Sequence, residues 1–99
     1  MNQPVAHIDD IGSGRGKRIK VEGEEIVLFK IEDGICAVSN HCPHQHFHML
    51  HEGEFKDGIV TCPMHGWAYD VRTGMSTNAS GRLKTFSVDV RDKKVFVKI

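Results

Sequence analysis

The stretch EEIVLFKIEDGICAVS, residues 24–39, sets two apolar runs on either side of a charged turn. Apolar side chains recur here with the period of two that marks a β-strand, and Asp33-Gly34 is a hairpin signal because both central positions of a type I′ turn need positive φ. The same pattern extends outward. Upstream, KRIKV (17–21) is separated from EEIVLFKI (24–31) by Glu22-Gly23. Downstream, GIVTC opens at Asp57-Gly58, GWAYDV precedes Thr73-Gly74, and KTFSVDV and KVFVKI flank the turn RDKK. Long helical periodicity, internal repeats and linkers are absent from the pattern. The expectation is an all-β protein of short antiparallel strands and tight turns.

With 99 residues, the chain is read as a single domain, because a chain of this size buries only about 60–65% of its unfolded surface and cannot divide into two cores. Lys+Arg and Asp+Glu are equal at 13 each, so no net field gathers nucleic acid or an anionic membrane. GRGKR, residues 14–18, accordingly reads as a solvated turn. The N-terminal MNQPVAHIDD has neither the basic start nor the apolar run of a signal peptide, and no apolar stretch approaches the roughly 18 residues of a membrane span. A soluble, cytoplasmic protein is expected. Three cysteines, Cys36, Cys42 and Cys62, are an odd number for a disulfide framework and read as thiols. Without a secretory route the NAS sequon at Asn78 has no glycosylation to receive.

Two loops at strand ends, residues 39–46 (SNHCPHQH) and 61–66 (TCPMHG), each hold a cysteine followed by proline. Proline stiffens a ligand-bearing turn. Cys42-Pro43-His44 is C-x-H and Cys62-Pro63-Met64-His65 is C-x-x-H, with seventeen residues between the pairs. Four donors in two matched loops point to a metal. A structural zinc module is one reading, although zinc fingers usually group cysteines with cysteines and histidines with histidines. A dinuclear cluster is the other, with each loop giving its Cys to one iron and its His to the second. Two ferric ions, two sulfides, two thiolates and two neutral imidazoles sum to zero charge, so an added electron meets less opposition than in a four-thiolate cluster.

Through CPH and CPMHGWAYDVRTG, and more loosely from IVLFKIEDGICAVSNHCPH to LKTFSVDVRDKKVFVKI, the chain resembles the Rieske [2Fe-2S] proteins. The resemblance implies an antiparallel β-sandwich or barrel base carrying an inserted smaller cluster-binding subdomain, about residues 40–82. It implies Cys42 and Cys62 on the buried iron, and His44 and His65 on the outer one. Respiratory members carry a further cysteine in each loop, joined as a disulfide; Phe47 and Met64 stand at the matching positions here. Trp67 replaces a serine that bonds to a cluster sulfur, while Tyr69, the other such donor, is retained. Rieske centres span about −150 to +300 mV, and fewer such bonds imply a potential toward the lower end. Reduction raises the pKa of the ligating histidines, so the potential is expected to fall once pH exceeds their oxidised-state pKa.

The short length and the HGW triplet resemble the soluble Rieske-type ferredoxins, which carry one electron at a time from a flavin reductase to a terminal oxygenase. The small subunit of NAD(P)H nitrite reductase is a second resemblance, but it often lacks the ligands that are all present here. The resemblance implies an electron carrier without activity of its own, docking transiently through the His44 and His65 tip, as a monomer. No facial triad, nucleophile pair or phosphate loop points to an enzyme. Gln45 reads as a partner contact at the loop tip, and Trp67 equally as cluster shield or docking residue. Tyr69 needs a buried partner for its phenol. A register with His46 as ligand, C-x-x-x-H, stays open. His41 and His51 read as solvated loop residues, His48 as a departure from the family where proline or leucine is more usual, Phe47, Met49 and Leu50 as cover for the loop, and Cys36 as a small buried hydrophobe.

Overall fold

A computed structural model describes residues 4–12, 14–32, 34–40, 53–61, 66–77 and 81–98. Among them are nine strands: β1 (Ala6–His7), β2 (Lys17–Val21), β3 (Glu24–Ile31), β4 (Gly34–Ser39), β5 (Glu54–Lys56), β6 (Ile59–Thr61), β7 (Ala68–Asp70), β8 (Thr85–Arg91) and β9 (Lys94–Lys98). All pairings are antiparallel. Six strands form one sheet in the order β1-β9-β8-β4-β3-β2, and β5-β6-β7 form a second, smaller one. In chain order the small sheet falls between β4 and β8.

The run Ile26 to Phe29 on β3 is wholly buried at four successive positions. Side chains alternate across a strand, so such a run requires cover on both faces. Val27 and Phe29 join Val38, Phe55, Val60, Tyr69, Val71 and Leu83 in one core, which ties the large sheet to the small one. The Phe29 and Phe55 rings meet there with centroids 4.6 Å apart. Ile26 and Leu28 join Ile11, Ile35, Ala37 and Val95 in a second core. Val95 lies three strands from β3 in the sheet order, about 14 Å away in a flat sheet. The sheet therefore curls. Strand β8 makes the bend, since Thr85 and Phe86 pair with β4 while Ser87 to Arg91 pair with β9.

Turn chemistry fixes three hairpins. Glu22 (φ 49) with Gly23 (φ 85), Asp57 (φ 54) with Gly58 (φ 81), and Asp92 (φ 52) with Lys93 (φ 65) are two-residue loops with the positive φ pair that type I′ turns need. The β3–β4 hairpin differs from expectation. Ile31 pairs with Gly34, so Gly34 already belongs to the strand rather than to the turn. Cross-strand packing of Phe29 opposite Cys36 and Leu28 opposite Ala37 sets that register. At the N-terminus His7 caps a 3-10 turn, Ile8–Asp10: its Nδ1 accepts the Asp9 N–H, and its own N–H donates to the Asp10 carboxylate.

Gly16 lies against this core rather than in open solvent. A Cβ there would press on the Val27 methyl and stand 2.8 Å from Phe29 Cε1. Gly16→Ala is expected to destabilise the protein by about 1–3 kcal/mol through overpacking. Urea unfolding checks this, with an unchanged midpoint as the contrary result.

Candidate metal centre

Both candidate ligand loops grow from ends of strands that share the first core. Val38, two residues before Asn40, and Val60, the residue before Thr61, are wholly buried in it together with Tyr69. The end of β4 is held from two sides: the Ser39 N–H donates to the Lys84 carbonyl at 2.8 Å, and the Asn40 N–H to the Glu25 carbonyl at 3.0 Å. The second loop is bounded by the pairing of Thr61 with Ala68. The Ala68 carbonyl in turn accepts the Thr77 N–H at 2.9 Å and the Ser76 hydroxyl at 3.0 Å. Gly66 adopts φ 74 between His65 and Trp67, a left-handed conformation that glycine reaches without a Cβ penalty.

Cys42, His44, Cys62 and His65, together with Gln45, His41, His46, His48, His51, Phe47, Met49, Leu50, Met64 and Asn78, lie outside the described residues. Tyr69 is fully buried, and every buried side-chain nitrogen and oxygen among the described residues has a hydrogen-bond partner, its phenol included. Trp67 is half-buried and packs against the core that Tyr69 anchors, a position suited to shielding. Cys36 is half-buried at the margin of the same core rather than fully enclosed. Asn40 escaped the sequence reading. It is fully buried, and its Nδ2 donates to Glu25 Oε1 at 3.1 Å. A polar residue directly after an alternating apolar strand, two positions before a cysteine, was the signal available. Around this strand end, Arg18 faces Glu25 at 3.8 Å and Lys84 faces Glu24 at 3.7 Å. Exposed pairs of this kind contribute little to stability, typically below about 1 kcal/mol.

The residues fit an iron–sulfur cluster by the chemistry of their donor set. Two thiolates and two imidazoles are offered in matched loops, and strands packed into one core carry those loops. Comparison with known proteins gives the family. Residues 1–88 match the family described as the Rieske [2Fe-2S] domain. The ferredoxin component of the naphthalene 1,2-dioxygenase/salicylate 5-hydroxylase systems of Ralstonia sp. is 33% identical over 97 residues, spanning 96% of this chain and 92% of that protein. A chain in the complex of reduced oxygenase and oxidized ferredoxin of carbazole 1,9a-dioxygenase superposes with a TM-score of 0.86 at 27% identity, over 97% of this chain and 100% of that one. A nitrite reductase NADPH small subunit superposes with a TM-score of 0.88 over 100% of this chain and 99% of that one. At 24% identity that likeness shows the fold alone.

The curled antiparallel base with its inserted small sheet and the match to the family model together define an iron–sulfur protein fold. The chain belongs to the Rieske [2Fe-2S] family, and its cofactor is a Rieske-type [2Fe-2S] cluster. No helix among the described residues is long and apolar enough to cross a membrane.

Proposed function

We propose that this chain is a Rieske-type ferredoxin, a one-electron carrier from an NAD(P)H-dependent flavin reductase to a terminal non-haem iron oxygenase, with no activity of its own. The observation that carries the reading is end-to-end likeness to the Ralstonia ferredoxin component, over 96% of this chain and 92% of that protein. The cluster, when bound, accepts and returns one electron. Cys42 and Cys62 would hold the inner iron and His44 and His65 the outer one, so that the imidazoles would form the exit toward a partner. Tyr69 would donate its phenol to a cysteine sulfur, Trp67 would keep water from the site, and Gln45 would touch the partner. Docking is brief, through an interface below about 1,200 Å². Residues 1–99 act as one domain with a cluster-binding subdomain of about 40–82, as a cytoplasmic monomer. Oxygenase and ferredoxin meet in the carbazole 1,9a-dioxygenase complex, whose ferredoxin supports the choice of partner.

Anaerobic titration of the purified protein is expected to take up one electron per chain, and EPR of the reduced form to show a [2Fe-2S] signal. The reduced protein should then pass that electron to an aromatic-ring oxygenase, while the chain alone oxidises no NAD(P)H. A colourless, zinc-loaded, EPR-silent preparation would contradict the reading. Stable co-purification with a large sirohaem enzyme would favour a nitrite reductase small subunit instead.

A further inference from the structure

Among the described residues Asn40 is the one polar side chain that is fully buried. Asparagine is mostly exposed in folded proteins, and its amide is unfavourable inside unless its hydrogen bonds are made. Two of its bonds go to one residue across the sheet. The backbone N–H of Asn40 donates to the Glu25 carbonyl at 3.0 Å, and its Nδ2 donates to Glu25 Oε1 at 3.1 Å. Glu25 sits on β3, and its carboxylate faces Arg18 Nη1 of β2 at 3.8 Å. On the opposite flank the neighbouring Ser39 N–H is tied to the Lys84 carbonyl at 2.8 Å. The last backbone of β4 is thus gripped from both sides, two residues before Cys42.

One backbone bond at a strand end fixes a position and leaves the direction of the departing chain free to swing. A second bond from the same residue to the same partner removes that freedom. Cluster ligands must be held to a fraction of an ångström, and the groups that support them carry much of the metal's retention. We propose that Asn40 is a positioning residue for the iron–sulfur site, its clasp on Glu25 setting how the first ligand loop leaves the sheet and so holding Cys42 and His44 on the cluster. The proposal rests on the reading of those two residues as ligands.

The test uses the holoprotein and measures how fast its visible absorption bleaches in excess iron chelator, alongside its urea midpoint and visible circular dichroism. Asn40→Leu keeps the branching at Cγ without the donor, and Glu25→Leu removes the acceptor. Both are expected to bleach about 10- to 100-fold faster than the unmodified protein. Glu25→Gln retains the Oε1 acceptor and is expected to bleach at the unmodified rate. The double variant Asn40→Leu/Glu25→Leu should bleach no faster than either single one, because both remove the same contact. If Asn40→Leu fails to fold, Glu25→Leu decides, since the Glu25 side chain is 25% exposed and tolerates replacement.

Unmodified bleaching with a lowered urea midpoint would overturn the proposal by reducing the clasp to a stabilising contact. Bleaching of Glu25→Gln as fast as Glu25→Leu would also overturn it, by assigning the effect to charge. An unmodified protein that carries no iron would instead remove the ligand reading on which the proposal stands.

Discussion

His44→Ala is expected to yield a folded but colourless protein whose iron and acid-labile sulfide fall toward zero, while His46→Ala retains both. Changes that merely loosen a ligand's support cost about 10- to 100-fold in metal affinity, and deleting the ligand itself costs more. The expectation follows from counting charges and donors. Two thiolates and two neutral imidazoles bring a diferric cluster to zero net charge, whereas loss of one imidazole leaves an iron open to water. C-x-H in the first loop balances C-x-x-H in the second, and His65→Ala should match His44→Ala. Iron analysis and EPR of the reduced proteins check the set. Retention in His44→Ala with loss in His46→Ala would move the ligand to the C-x-x-x-H register, and with it the surface offered to a partner.

Donor chemistry of this kind is legible in a sequence because it depends on residue type and spacing. What supports the donors is less so. Asn40 bonds to Glu25, fifteen positions away in the chain, and the local pattern that marks the residue does not name its partner. The fold divides along the same line. Glu22-Gly23 and Asp57-Gly58 declare their hairpins through backbone preferences of two residues each. The β3–β4 hairpin carried its signal at Asp33-Gly34, yet Gly34 pairs with Ile31 inside the strand, a register set by side chains packing across the strands. Strands β1 and β5, of two and three residues, are too short to show alternation. They exist because β9 and β6 present edges to pair with. The curl of the large sheet depends on β8 changing partner after Phe86, a tertiary event with no signature in KTFSVDV.

Gly74 carries the second large expected effect, because it stands where the small sheet rejoins the large one. Its N–H donates to the Asp70 carbonyl at 2.7 Å, and its carbonyl accepts the Leu83 N–H at 2.7 Å. Leu83 is buried in the core shared by both sheets. With φ 81, Gly74 occupies the left-handed region, and an added Cβ would collide with the Leu83 carbonyl oxygen and stand 3.1 Å from Thr85 Cγ2. The conformational penalty for a side chain there is about 1–2 kcal/mol. The collision adds about 1–3 kcal/mol, since the obstructing atom is backbone of a residue whose own N–H is already bonded to Gly74. Gly74→Ala is therefore expected to lose about 2–5 kcal/mol of the roughly 5–15 kcal/mol that holds such a domain together.

At about 4–8 °C per kcal/mol, the melting point should fall by at least about 8 °C. Gly14 supplies the control. It has a matching φ of 85 but no atom within 4 Å of an added Cβ, so Gly14→Ala should show the conformational penalty alone. Thermal unfolding of the two variants side by side separates strain from collision. Equal losses would mean that the Leu83 carbonyl is not the obstacle, and that the junction between the sheets tolerates a side chain at Gly74.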